Sequence, residues 1–297
     1  MILVTGGGGM LGAELCRLAL ARGTPVAAAV GARPAPNGIG AVSGDLADAA
    51  HVRRIVDRFR PSWVVHTAAW TDVNACETDP ARADRANADA AGVVAAEAAR
   101  AGAGLIAIST DSVFDGERGL YTEADPVAPL HAYGRSKLRG EAAVLAAHPG
   151  AVVLRTAIVG KSTGGQPGLL DWLLAAFREG RAVDGYRDLW FSPITTTDFA
   201  ECILRLIERP VAGGIHHAGG HGRIDKAGFA QLVAEWVGAD PGLVRPCDAP
   251  ASRVARPRDV SLSSSRLESL LGGALPTPRE SLLRHLAQRA DLRAAMP

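Results

Sequence analysis

The sequence predicts an α/β protein, a doubly wound parallel sheet followed by a smaller C-terminal α/β unit. Three observations carry this. Short apolar runs alternate with helix-length segments through the first half, and a glycine-rich turn joins the first run to the first helix. The alternation then loosens after residue 156 with no intervening linker. Strand alternating with helix argues for parallel strands covered on both faces, and right-handed crossovers wind such a sheet doubly.

Taken in order, residues 2–5 read as the first strand, and residues 11–22 as a helix stopped at Gly23. "TPVAAAV" (24–30) is a second strand, and residues 51–60 a helix halted by Pro61. "SWVVHTAA" (62–69) is a third strand. A long helix over 81–102 leads into the strand "GLIAIST" (104–110), and a helix over 136–147 into "AVVLRT" (151–156). Beyond these, 168–180, 198–210, 226–237 and 279–288 have helical patterns, with Asp198 placed to cap the second of them. "GGIHHAGG" (213–220) reads as a short strand between glycine turns. The expected division is a dinucleotide-binding unit of 1–158 with 193–217, and a substrate unit of 159–192 with 218–297.

Composition excludes several function classes. Lys plus Arg number 32 and Asp plus Glu 31, so no basic field calls for nucleic acid. Cys16, Cys76, Cys202 and Cys247 are far apart and form no C-x-x-C pair, and His216 and His217 on a strand point to opposite faces, so no metal site is expected. No apolar run reaches the roughly 18–20 residues of a membrane span. The chain opens directly on a strand pattern with no basic, apolar leader. The expectation is a soluble cytoplasmic protein without membrane or nucleic-acid partners, and a homodimer by default.

The chemistry is concentrated in three places. "TGGGGMLG" (5–12) follows a strand and opens a helix, the context in which glycines let a backbone approach a pyrophosphate at a helix N-terminus. Two registers fit, Gly7–Gly9–Gly12 and Gly6–Gly9–Gly12. After the second strand no acid stands before Asp45 to accept from a ribose 2′-OH. Arg33 stands there instead, able to pair with a 2′-phosphate or to remain solvated, and this favours NADPH over NADH. In "YGRSK" (133–137), Tyr133 and Lys137 lie at i and i+4 on one helical face. A nearby ammonium lowers a phenol pKa, and such a phenol can protonate a carbonyl oxygen as hydride reaches its carbon. "STDSVFDG" (109–116) places Ser109 and Thr110 at the carboxyl edge of the sheet, where ligands bind.

Together these motifs resemble the extended short-chain dehydrogenases/reductases. "VVHTAAWTDVNACETDP" (64–80) resembles the N-A-A-Y-T-x-V-D-x-A-E segment of the dTDP-4-dehydrorhamnose reductases, and "LRTAIVG" (154–160), "GGIHHAGG" and "ARPRDVSLSSSRL" (255–267) resemble later blocks of the same family. The resemblance implies a Rossmann sheet and a catalytic set of Thr110, Tyr133 and Lys137. Tyr133 would be the proton donor, Lys137 would lower its pKa and hold the nicotinamide ribose, and Thr110 would bond the keto oxygen. It implies cofactor contacts at Gly6, Gly9, Met10, Leu11, Gly12, Asp45, Leu46, Ala68 and Ala69, besides Tyr133 and Lys137, and the reading of the loop after the second strand adds Arg33 to them. Substrate contacts would fall at Thr71, Asp111, Ser112, Ile158, Trp190 and Arg256. The implied reaction is NADPH-dependent reduction of the 4-keto group of a nucleotide-linked 6-deoxyhexose, dTDP being the expected nucleotide.

The family's register is T-G-x-x-G-x-x-G, matched by Thr5, Gly6, Gly9 and Gly12. Gly7 and Gly8 then fill variable positions, and Gly8→Ala is expected to be mild. Other positions depart from the pattern. Ser112 replaces a tyrosine, Asn74 an acid, Ile158 a tryptophan that would pack on the sugar, and Gly160 a tyrosine. "LWFSPIT" (189–195) keeps Pro193, and Trp190 or Phe191 either restores an aromatic wall or sits in the core. Arg253, Arg256 and Arg258 either meet a diphosphate or are surface charge. Two alternatives stay open. One is an epimerase or dehydratase of the superfamily, against which Asp111-Ser112 supplies a single acid. The other is a non-catalytic subunit resembling the regulatory subunit of methionine adenosyltransferase.

Overall fold

The computed structural model describes residues 1–164 and 167–288. Its first half runs β1 (Ile2–Thr5), α1 (Met10–Ala21), β2 (Val26–Val30), β3 (Gly40–Ser43), α2 (Ala49–Phe59), β4 (Trp63–His66), α3 (Val73–Thr78), α4 (Pro80–Asp84), α5 (Ala90–Arg100), β5 (Gly104–Ile108), α6 (Ala132–Ala147) and β6 (Val152–Arg155). There follow β7 (Ala157–Val159), α7 (Leu169–Arg178), β8 (Val183–Tyr186), β9 (Trp190–Phe191), β10 (Pro193–Thr195), α8 (Thr196–Glu208), β11 (Gly214–His217), β12 (Ile224–Asp225), α9 (Lys226–Val237), β13 (Val244–Cys247), α10 (Ser265–Leu271) and α11 (Pro278–Gln288).

Seven strands form one parallel sheet in the order β11-β6-β5-β4-β1-β2-β3. The order reverses at β1, which is flanked by β2 and β4, so the carboxyl ends of these strands open a crevice where loops diverge. All four residues of β1 and of β6 are buried, as a sheet covered on both faces requires. Leu15 of α1 and Phe199 and Ile203 of α8 pack under one face. Val52 of α2, Val94 of α5 and Val144 of α6 pack under the other.

The structure departs from the expected elements where local pattern is weak. β3 carries no apolar run: it is an edge strand with mostly exposed residues, held only through β2. The long helix over 81–102 is interrupted by a π-helical turn at Arg85–Asp89, a form often found at functional sites. Here the turn buries Asn87, whose amide bonds both backbone groups of Trp70 and the Ser136 hydroxyl. Asp198 does not cap α8. Thr195 does, its Oγ1 accepting from the Asp198 N–H, and Asp198 sits at the third helical position paired with Arg284.

A further core gathers Leu173 and Phe177 of α7, Phe229 and Val233 of α9, and Leu286 of α11. β8 pairs in parallel with β13, and β9 pairs antiparallel with β12. α10 lies within the range read as the smaller unit, yet its Leu267 and Leu271 are buried in the sheet's core with Leu15 and Phe199. Residues 165–166 and 289–297 of that range lie outside the described residues. No helix among the described residues is long and apolar enough to cross a membrane.

Candidate active site

The glycine turn is set by contacts no larger residue permits. Gly6 has φ +73°, and a Cβ at Gly12 would overlap the Gly6 carbonyl oxygen. Gly9 caps α1 without a side-chain bond, and no acid stands in the first turn, so the helix N-terminus is left to an external anion. Met10 and Leu11 open α1. Leu11 is buried in the sheet's core, so what it offers an anion is its backbone N–H. Beside the turn lies a pocket of about 300 Å³ lined by Gly6, Gly31, Asp45, Leu46, Ala68 and Ala69, among others. The Ala47 N–H and the Arg85 guanidinium hold the Asp45 carboxyl below its usual range. These residues fit a dinucleotide.

Gly8 does not fill a freely variable position. A Cβ there would overlap the backbone carbonyls of Arg33 and Pro34, whereas a Cβ at Gly9 meets only the Gly6 oxygen, at 3.1 Å. The two glycines therefore serve different partners, Gly8 the 33–34 loop and Gly9 the open side of the turn. Gly8→Ala is expected to cost about 1–3 kcal/mol, as overpacking does, and to lower the melting temperature by several degrees. Gly9→Ala is expected to cost less, about 1 kcal/mol for an alanine at the N-cap, and to weaken NADPH in a fluorescence titration.

Arg33 is exposed, and its guanidinium donates to Thr163 Oγ1 at 3.2 Å while that hydroxyl donates to the Gly8 oxygen. The pocket lining includes Gly31 rather than Arg33. It also includes two residues the motifs did not single out, Trp70 and Arg82, whose guanidinium stacks 4.5 Å from the indole centroid.

Tyr133 and Lys137 both lie in α6, which begins four residues earlier than the sequence pattern indicates. His131 caps it, accepting from the Gly134 N–H, and its ring stacks on Tyr133. A Cβ at Gly134 would overlap the Ser112 oxygen, so this glycine lets the start of α6 approach the turn after β5. The Thr110 hydroxyl lies near enough to the Tyr133 hydroxyl to influence it; it donates to Asp111 Oδ1 at 3.1 Å and accepts from the Ser112 N–H. Lys137 is buried, and its ammonium donates to the Ile108 oxygen at 2.8 Å.

The expectation that Lys137 lowers the Tyr133 phenol pKa is corrected. Burial pushes that phenol above its ordinary value, Asp111 adds to the rise, and only the Thr110 hydroxyl opposes it. Burial also draws Lys137 down to about 8, against the pull of Glu141. The phenol therefore keeps its proton at neutral pH, the form a donor needs.

On the far side of Tyr133 opens a cavity of about 1060 Å³. Of the expected substrate residues, Asp111, Ser112, Trp190 and Arg256 line it, together with His131. Thr71 and Ile158 line neither pocket: Thr71 is exposed, and Ile158 pairs with Ile194 and packs against the sheet's core. Trp190 is a cavity wall stacked by Arg223, while the buried Phe191 also reaches the cavity. Arg253, Arg256 and Arg258 all face this space, joined by Arg245, which the motifs missed. Arg256 bonds Asn74, the residue standing in the family's acid position, and Arg258 pairs with Asp188. His216 and His217 are buried in β11 and bond backbone carbonyls of Ala212 and Tyr121.

Thr110, Tyr133 and Lys137 line neither space themselves, but at the carboxyl edge of the doubly wound sheet Tyr133 touches His131 of the basic cavity and packs near Trp70 of the glycine-turn pocket. That arrangement is shared by the extended short-chain dehydrogenases/reductases, and it defines the class of this chain. The chain belongs to the family described as the RmlD substrate binding domain, which matches residues 1–290. It is 36% identical over 280 residues to the dTDP-4-dehydrorhamnose reductase of Mycobacterium tuberculosis, covering 93% of this chain and 88% of that one. It is 34% identical over 235 residues to methionine adenosyltransferase 2 subunit beta of Pongo abelii, covering 76% and 70%. The crystal structure of dTDP-4-dehydrorhamnose reductase from Bacillus anthracis in complex with NADP is similar with a TM-score of 0.82 at 26% identity, over 97% of this chain and 98% of that one.

Proposed function

We propose that the protein reduces the 4-keto group of a dTDP-linked 6-deoxyhexose with NADPH. The observation that supports this reading is Tyr133 beside Thr110, stacked on His131, which lines the arginine-rich cavity, and packed near Trp70, which lines the pocket fitted to a dinucleotide. The names of the Mycobacterium tuberculosis relative and the Bacillus anthracis structure support it. With its pyrophosphate held at the glycine turn, NADPH would supply the hydride from its dihydronicotinamide. Arg245, Arg253, Arg256 and Arg258 face the nucleotide diphosphate, whose charge matches theirs. Thr110 orients the keto oxygen, and Tyr133 gives its hydroxyl proton to that oxygen as it becomes an alcohol. Lys137 would hold the nicotinamide ribose. The unit of 1–158 with 193–217 would hold the dinucleotide, and the described residues of the unit of 159–192 with 218–297, α10 in the sheet's core excepted, would hold the sugar nucleotide.

The test is the fall of NADPH absorbance with dTDP-4-keto-6-deoxyglucose and related keto sugars. Stoichiometric oxidation with formation of the sugar alcohol is expected. An epimerase or dehydratase would convert substrate with no net NADPH loss. NADPH binding without turnover across the panel would favour the regulatory reading, for which the likeness to methionine adenosyltransferase 2 subunit beta is the supporting observation.

A further inference from the structure

One charged group in the large cavity is not used by the reaction outlined above. Lys226 is the first residue of α9, and its position is fixed from three sides. Asp225 caps the helix by accepting from the Gly228 N–H, the Lys226 N–H donates to the Leu189 oxygen at 3.0 Å, and β12 pairs with β9. Its ammonium lies 3.2 Å from the centroid of the Phe191 ring, and the side chain lines the cavity. Asp111 lines the same cavity from the turn after β5. Each charge supports the other across the gap, yet among the described residues the two do not close an ion pair. Asp111 Oδ1 already accepts from the hydroxyls of Thr110 and Ser112.

A cation and a carboxylate that face one another without touching suit a group that accepts from one and donates to the other. A hydroxyl does both from a single atom. Thr110 orients the keto oxygen and is bonded to Asp111, so a group held by Asp111 sits on a carbon next to the carbonyl. In a 4-keto-6-deoxyhexose, C5 carries the methyl group and C3 the hydroxyl. We propose that Lys226 and Asp111 form a clamp that reads the 3-hydroxyl of the sugar, making Lys226 a specificity-determining residue. The inference rests on the reductase reading. Burial draws Lys226 down to about 8 and pushes Asp111 up to about 6, and the charge of each opposes the shift of the other. A sugar carrying an ammonium at C3 would meet Lys226 with like charge and be rejected.

The experiment measures binding apart from turnover, by calorimetry on the full chain with dTDP-rhamnose, its 3-deoxy counterpart and dTDP alone. Wild type should bind dTDP-rhamnose at least about tenfold more tightly than the 3-deoxy sugar, as a lost hydrogen bond to a charged group implies. Lys226→Met, which keeps the packing on Phe191, should abolish that preference and leave dTDP within about twofold. Lys226→Gln, which restores a neutral donor, should recover part of the preference. Equal loss on all three ligands would make Lys226 a diphosphate or structural residue, and an undiminished preference in Lys226→Met would remove it from the sugar site. Either result overturns the clamp. A wild type that shows the preference but oxidises no NADPH would sink the reductase reading and leave the clamp standing.

Discussion

Tyr133→Phe is expected to lower kcat/KM for keto-sugar reduction by about 10²–10⁴ while changing the NADPH dissociation constant by less than about threefold. The size follows from what positioned proton donors contribute. The selectivity follows from geometry. The hydroxyl removed lies beside Thr110, whereas the ring, stacked on His131 and packed near Trp70, keeps every apolar contact in phenylalanine. Because burial holds the phenol protonated, wild-type kcat/KM should not fall off through Tyr133 ionisation anywhere between pH 6 and 9. A variant retaining a tenth of wild-type activity would show that the proton comes from elsewhere, and Asp111, pushed up to about 6 and beside Thr110, would be the group to examine next.

How far the sequence discloses this site can be traced residue by residue. Thr110 is legible because it follows a strand that local pattern places, and Tyr133 and Lys137 because their i, i+4 spacing holds on α6 even though that helix begins four residues before its pattern does. The glycine register is legible for the same reason as Thr110, but the fate of Gly8 is not. It depends on where the 31–37 loop settles after β2, and no periodicity specifies that loop. β3 escapes notice because an edge strand with exposed residues needs no apolar run. The sign of the Tyr133 shift is misjudged because spacing reveals a neighbouring lysine but not the burial that outweighs it. Lys226 carries no signal at all, since a lysine at the start of a helix usually points to water. Its place beside Asp111 arises from the pairing of β12 with β9, a long-range event.

The largest stability effect is expected beneath the active site, at Glu141. This residue lies one helical turn after Lys137, with its side chain about as buried as that of Arg155, each 3% exposed. Its carboxylate takes two bonds from the Arg155 guanidinium, at 2.9 and 2.7 Å, and a third from the Ser109 hydroxyl at 2.5 Å. Arg155 in turn lies 5.2 Å from the Phe114 centroid. The cluster thus ties α6, which carries Tyr133 and Lys137, to β6 and to the end of β5 that carries Thr110. Glu141→Ala leaves a guanidinium buried without its counter-charge, which costs about 3–5 kcal/mol. In a chain of this size that lowers the melting temperature by about 10 °C. Glu141→Met combined with Arg155→Met removes both charges and should recover most of the loss, because a buried ion pair contributes far less than an orphaned charge costs. The double variant separates stability from placement. If it melts like wild type but reduces keto sugars slowly, the pair holds α6 in register with β5 for catalysis. If both properties return, hydrophobic packing alone suffices to set the distance between Thr110 and Tyr133.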